Sequence, residues 1–252
     1  MNTLDDATRL AYLKEMGITV WQSRTAADNT VESIPAGDTS TSPMTPKAVE
    51  SQGDKKQTWI QLLDEIMHCQ KCHLAKTRNK IVPGVGDTNA DWLFVGEGPG
   101  FYEDQQGEPF VGKSGQLLDN MLLSLNLTRG RNVYIANIVK CRASEAGKDR
   151  QPTEEESAIC MPFLEKQIAL IAPKIIVALG KTAACALLRI SREPSLSSLR
   201  KKVHTYEQGG MTVPLVITYH PSYLLRTPQG KAQAWEDLCL AMDTLEGIQN
   251  TN

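Results

Sequence analysis

The sequence predicts an α/β protein: a three-layer α/β/α sandwich on a central, mostly parallel four-stranded sheet. Three observations predict it. Four apolar runs of strand length occur, at Trp92–Gly96, 132–139, Ile175–Leu179 and 213–218. Segments of helical periodicity separate them, and strands alternating with helices imply a parallel sheet covered on both faces. The first and third runs end at Gly96 and Gly180, as buried parallel strands do where the chain turns. In such folds the site lies at the carboxyl ends of the strands.

The elements follow in order. Residues 6–24 (DATRLAYLKEMGITVWQSR) read as a short amphipathic helix, with Leu10, Leu13 and Met16 at helical spacing, then Gly17 and Trp21. Residues 25–57 shift to Ser, Thr, Pro, Asp and Ala; they cannot bury enough to offset ordering and read as a linker. The folded domain is expected over residues 58–246, with a tail at 247–252. It starts with a helix over 59–69, followed by the strand WLFVG. A helix over 113–125 precedes NVYIANIV, and Thr153-x-x-Glu156 offers a capping box for a helix over 153–170. IIVAL leads into a helix ending near Leu188, and a last helix covers 230–245.

Bulk properties set the class. Of 252 residues, 41% are apolar and 22% charged, ordinary for a globular protein. No apolar run is long enough for a membrane span. The N-terminus carries acids and does not read as a secretory signal, so a cytoplasmic monomer is expected. Residues 1–56 hold 6 of the 27 basic and 8 of the 29 acidic residues, leaving 21 of each for the rest. Within that neutral remainder, Arg189, Arg192, Arg200, Lys201, Lys202, Arg226 and Lys231 face only Glu193 and Glu207 between 189 and 231. Such an excess could bind phosphates, or be a solvated loop.

Six cysteines occur, and in a cytoplasmic chain they point away from structural disulfides. Cys69-x2-Cys72 closes the first domain helix, Cys141 follows the second strand, and Cys160 lies 19 positions on. Four such thiolates could hold a [4Fe–4S] cluster or a zinc ion; spacing does not separate the two. Cys185 and Cys239 sit in apolar helices and read as core residues. The segment from Gly96 to Gly112 is rich in glycine, which permits tight turns and close backbone approach to a ligand, but it lacks the phosphate-loop pattern.

Three motifs occur in order at the strand ends: GEGPGFYEDQQGEPFVGKSGQLLDNML, NVYIANIVKCR and TYHPSYLLR. With the four cysteines they resemble the iron–sulfur uracil-DNA glycosylases, family 4 of that class. The resemblance spans about Trp59 to Leu245 and implies a DNA-repair enzyme that flips uracil out of DNA and hydrolyses its N-glycosidic bond. It implies a [4Fe–4S] cluster on Cys69, Cys72, Cys141 and Cys160. Phe110 matches the aromatic that stacks on the flipped base, Asn137 the amide that reads its edge, and His220 the histidine that polarises uracil O2. Glu97, Gly98 and Glu103 match the segment lining the water side of the sugar and the pocket wall; either glutamate could orient water, and Glu103 could exclude the thymine methyl. Leu224 is similar to the wedge that fills the vacated space, with Arg226 near phosphate. A DNA-binding protein on the same fold, without catalysis, is the rival reading.

The chemistry suits these residue types. An aromatic face binds any base. An amide can meet uracil N3–H and O4 together, whereas cytosine reverses that pattern and leaves polar groups unpaired. Separately, Leu10–Arg24 resembles the N-terminal peptide of the bacterial DNA polymerase III psi subunit. That resemblance implies a tether to the replicative clamp loader through residues 6–24.

Overall fold

The computed structural model describes residues 52–250, with side chains from residue 55 onward. The expected interaction peptide at 1–24 and residues 25–51 of the expected linker lie outside the described residues.

The described chain begins with α1 (Gln52–Met67). The linker therefore ends earlier than its composition suggested. The polar stretch QGDKKQ supplies the helix's first turns, while Leu62 and Ile66 carry the buried stripe. The short α2 (Leu74–Thr77) follows, then β1 (Val85–Gly86) and β2 (Trp92–Gly96). Next come α3 (Phe101–Gln106), α4 (Lys113–Ser124) and β3 (Val133–Asn137). A two-stranded hairpin, β4 (Ser144–Glu145) and β5 (Lys148–Asp149), turns at Ala146 and Gly147, both with positive φ. Then follow α5 (Glu154–Ile171), β6 (Ile175–Leu179), α6 (Lys181–Leu188) and α7 (Leu196–Leu199). The chain closes with β7 (Val203–Gln208), β8 (Met211–Thr218), α8 (Pro221–Arg226) and α9 (Gly230–Gln249). The expected tail is thus helical through Gln249.

The main sheet has six strands, ordered β1-β3-β2-β6-β8-β7. The four expected strands form its parallel centre, and two antiparallel edges are added. The edges escaped the sequence for physical reasons. β1 is two residues long beside positive-φ Gly84 and Gly86. β7 (VHTYEQ) buries only Tyr206 and so lacks an apolar run. It also occupies part of the stretch that read as a basic loop. Several of that stretch's cations are already engaged: Arg200 forms a buried ion pair with Asp237, Arg189 pairs with Glu165, and Lys201 with Glu236.

Strand pleating divides the core. Leu93, Val95, Tyr134, Ala136, Ile176 and Ala178 face α1, α5 and α6, with Cys185 among them. Phe94, Val133, Ile135, Val177, Leu179 and Val216 face α4, α8 and α9. Cys239 is only half-buried. The capping box at α5 is formed: Thr153 Oγ1 accepts Glu156 N–H at 3.1 Å, and Glu156 accepts Thr153 N–H at 2.8 Å. From β2 the chain moves to β3 on one side, then crosses through α5 to β6 on the other. The strand order therefore reverses at β2, which marks the carboxyl ends of β2, β3 and β6 as the place for a site.

Candidate active site

A cleft of about 1150 Å³ opens there. It brings together Glu97, Gly98, Glu103, Phe110, Asn137, His220 and Arg226, residues spread over 130 positions of sequence.

Asn137 is the last residue of β3 and only 2% exposed. The pairing of β2 with β3 continues past the strands: Ile138 N–H donates to Gly96 O at 2.9 Å and Val139 N–H to Glu97 O at 3.2 Å. Asn137 Oδ1 is buried and has no hydrogen-bond partner within the protein. A buried acceptor left empty is costly, so this one is shaped for a donor from outside. Behind it, the buried Lys140 ammonium donates to Asn137 O at 2.8 Å and to Gln167 Oε1 at 2.7 Å. Gln167 in turn donates to Pro83 O at 2.9 Å. This network fixes the backbone that carries the amide.

Phe110 lies alongside. Gly96 allows the approach, because a Cβ there would overlap both Asn137 Oδ1 and the Phe110 ring. Phe110 has φ +54°, unusual for a bulky side chain. Arg129 holds it so, donating to Pro109 O at 2.8 Å and Phe110 O at 2.9 Å while paired with Asp119. The Phe110 and His220 rings face each other at 5.6 Å with 30° between planes.

His220 caps α8. Ser222 N–H donates to its Nδ1 at 3.2 Å, and the Ser222 hydroxyl lies 2.8 Å from the same nitrogen. A backbone N–H can only donate, so Nδ1 is the acceptor. Burial, with Arg226 nearby, pushes the imidazole down to about 4. A neutral ring with Nδ1 accepting must carry its proton on Nε2, which is then a donor.

The two glutamates differ. Glu97 accepts from Thr182 Oγ1. Burial raises its carboxyl above the ordinary range, against the Thr182 hydrogen bond and the Arg192 charge. Glu103 has both oxygens taken by backbone: Oε2 accepts Gly100 N–H at 3.1 Å, and Oε1 accepts Val111 N–H at 3.0 Å and Gly112 N–H at 3.2 Å. It pins the two halves of the glycine-rich loop together. Three backbone amides thus use most of the carboxylate's acceptor capacity. Gly98 lines the cleft, and a Cβ there would meet Val139.

Leu224 is a correction. It is 1% exposed and packs in the core with Phe110 and Val216, so it does not project as a wedge. On a short helix every side chain cannot face out, and Leu224 takes the inner face; its neighbours Tyr223, Leu225 and Arg226 are exposed. Arg226 stands at the cleft wall.

The four cysteines of the expected cluster lie outside the lining of the cleft. Cys141 and Cys160 are buried, with Cys69 and Cys72 packed on the same core. Burial pushes the Cys141 thiol up to about 11, and that of Cys160 upward as well. Donors point at two sulfurs: Arg78 Nη1 at Cys141 Sγ, and Lys140 N–H at Cys160 Sγ, each at 3.3 Å. Among the described residues, no three His, Cys, Asp or Glu side chains are grouped as ligands of one metal ion.

Sequence reasoning missed Thr182, Arg129, Lys140, Gln167 and the hairpin, whose Asp149 pairs with Arg142 and accepts Phe101 N–H. Each has at least one partner distant in sequence.

A family model of the uracil DNA glycosylase superfamily matches residues 83–239. A type-4 uracil-DNA glycosylase of Archaeoglobus fulgidus is 42% identical over 170 residues, covering 67% of this chain and 83% of its own. One from Pyrobaculum aerophilum is 40% identical over 184 residues, covering 72% and 92%. One from Thermotoga maritima is 40% identical over 163 residues, covering 65% and 81%. The family match encloses Glu97, Phe110, Asn137 and His220 with the strands that present them, and on that ground the chain belongs to the uracil DNA glycosylase superfamily.

Proposed function

We propose that the chain is a uracil-DNA glycosylase that acts on uracil-containing DNA, extrudes uracil from the strand and hydrolyses its N-glycosidic bond. The observation that carries this reading is the buried, unpartnered Oδ1 of Asn137 beside the Phe110 ring. Uracil N3–H would satisfy that acceptor, while the amide NH2 meets O4. Cytosine has no proton at N3 and would leave the acceptor unpaired.

The reaction breaks the C1′–N1 bond, and the electron pair passes to the departing base. His220 donates from Nε2 to uracil O2 as charge develops there. Its neutrality matters, because it stabilises the anion without first having to acquire a proton. Water adds to C1′ and gives up a proton to solvent while the uracil anion takes one up, leaving an abasic sugar and free uracil. Glu97, with its affinity for protons raised by burial, is the group best placed to orient that water. Glu103 keeps the loop closed on the base, and Arg226 serves backbone phosphate.

The same reading assigns a [4Fe–4S] cluster to Cys69, Cys72, Cys141 and Cys160. What supports the assignment is the chemistry of the donor set: buried thiols are disfavoured as thiolates, a cost that cluster iron would offset, and N–H donors to ligand sulfur suit such a site. When bound, the cluster supplies a cross-link between the end of α1, the segment after β3 and α5. That cross-link lies four residues from Asn137. Among the described residues no helix is long and apolar enough to cross a membrane; a cytoplasmic monomer, tethered to the clamp loader through residues 6–24, completes the reading.

The test is an oligonucleotide with one uracil. Free uracil and an alkali-labile site are expected, with activity lost in Asn137→Ala and iron absorption lost in Cys141→Ser. An intact strand with iron-loaded protein overturns the assignment.

A further inference from the structure

Resting on that reading, we infer that the cleft has a second subsite, in which the base next to the flipped uracil stacks on Tyr223. Three groups form a column beside the cleft. The Arg200 guanidinium lies over the Tyr219 ring at 4.1 Å, and Tyr219 stacks on Tyr223 with centroids 4.8 Å apart and planes 23° from parallel. The inner end is fixed. Arg200 is 5% exposed, ion-paired to Asp237 at 2.6 Å and donating to Gln233 O at 2.7 Å. Gln233 Oε1 also accepts the Tyr219 hydroxyl at 2.9 Å. The outer end is open: Tyr223 is 37% exposed and lines the same cleft as His220 and Arg226.

A buried ion pair that anchors a stack ending in a part-exposed ring makes a rigid platform rather than a mobile side chain. Such a face accepts any base through its π-surface. The position selects which base. Tyr223 is three residues from His220 and three from Arg226, between the group that meets uracil and the cation at the phosphate side. A neighbouring nucleotide reaches Tyr223 only when it is unpaired, so the occupant is single-stranded DNA or a strand locally opened at the lesion. With Leu224 buried, this ring offers an apolar surface to the strand beside the extruded base.

The test is a cycle that removes the protein ring and the DNA base separately. Binding of single strands carrying one non-cleavable 2′-fluoro-deoxyuridine is measured by fluorescence anisotropy, with the flanking base present or replaced by an abasic residue on either side. Wild type should lose roughly tenfold in affinity when one flanking base is removed, an order of magnitude taken from base–aromatic stacking. Tyr223→Leu should lose that affinity on the intact strand and be nearly insensitive to removing the base, while Tyr223→Phe keeps the wild-type response. A uniform loss in Tyr223→Leu on every strand, or equal sensitivity of both proteins to the missing base, overturns the subsite. Failure of wild type to excise ordinary uracil would count against the proposed function instead, and the binding cycle still decides the subsite.

Discussion

Replacing Asn137 with alanine should separate catalysis from stability. In the unliganded protein the Oδ1 is buried without a partner, so truncation removes an unsatisfied acceptor rather than a hydrogen bond. The backbone is held independently, by Lys140 Nζ on its carbonyl and by the pairing beyond β3. Folding stability should therefore change by no more than about 1 kcal/mol, a shift of roughly 2–4 °C in Tm for a domain of this size. Catalysis should change far more. Uracil N3–H and O4 would each be left unpaired in a dry pocket at about 1–3 kcal/mol apiece. Together they cost about 2–6 kcal/mol, or roughly 30-fold to 10⁴-fold in kcat/KM. The assay is single-turnover excision from a single-uracil strand, paired with thermal unfolding of the same preparation. A rate within a few-fold of wild type would refute Asn137 as the reader. A Tm loss above about 10 °C, several kcal/mol for this domain, would show that the amide is structural.

Further outcomes follow from the same geometry. His220, pushed down to about 4, should stay neutral through mildly acidic pH, with no inflection in the rate near the ordinary histidine value of about 6.5; a histidine-selective NMR titration checks this. Its linkage sign is that of a depressed base: the unfolded chain takes up the proton first, so this stabilisation is full above about 6.5 and is lost as pH falls toward the folded value. Glu97, raised by burial, should set the acid limb of kcat above the usual carboxylate range, and Glu97→Gln should remove that limb from the profile. Gly96→Ala drives a Cβ into Asn137 and Phe110; overpacking of about 1–3 kcal/mol should appear in urea melts together with loss of excision. Arg129→Met frees the carbonyls of Pro109 and Phe110 and should raise KM by roughly tenfold, the size expected for losing a charge-assisted hydrogen bond that positions a stacking ring.

The parallel centre of the sheet was legible because each strand is buried on both faces, which forces a continuous apolar run such as Trp92–Gly96. The capping box at Thr153 was legible because it is local. The edges were not, since β7 faces solvent and carries polar residues. Within the site, Phe110, Asn137 and His220 were found through motifs, and the fold brings them to one cleft. Their supports were invisible: Thr182 meets Glu97 across 85 positions, and Gln167 meets Pro83 across 84. Leu224 was misplaced because a motif fixes the residue but not the helix face. The loop-pinning contacts of Glu103 were invisible because its partners are backbone amides, which leave no trace in residue type.

The central claim is that an empty acceptor on Asn137 recognises the N3 proton of the extruded base. It is tested most directly by comparing excision from single strands carrying deoxyuridine or 3-methyldeoxyuridine, in which a methyl group replaces that proton. Deoxyuridine should be released, and the methylated base should be retained at a rate close to that of Asn137→Ala acting on deoxyuridine. Equal release of both bases by the wild-type protein would contradict the account.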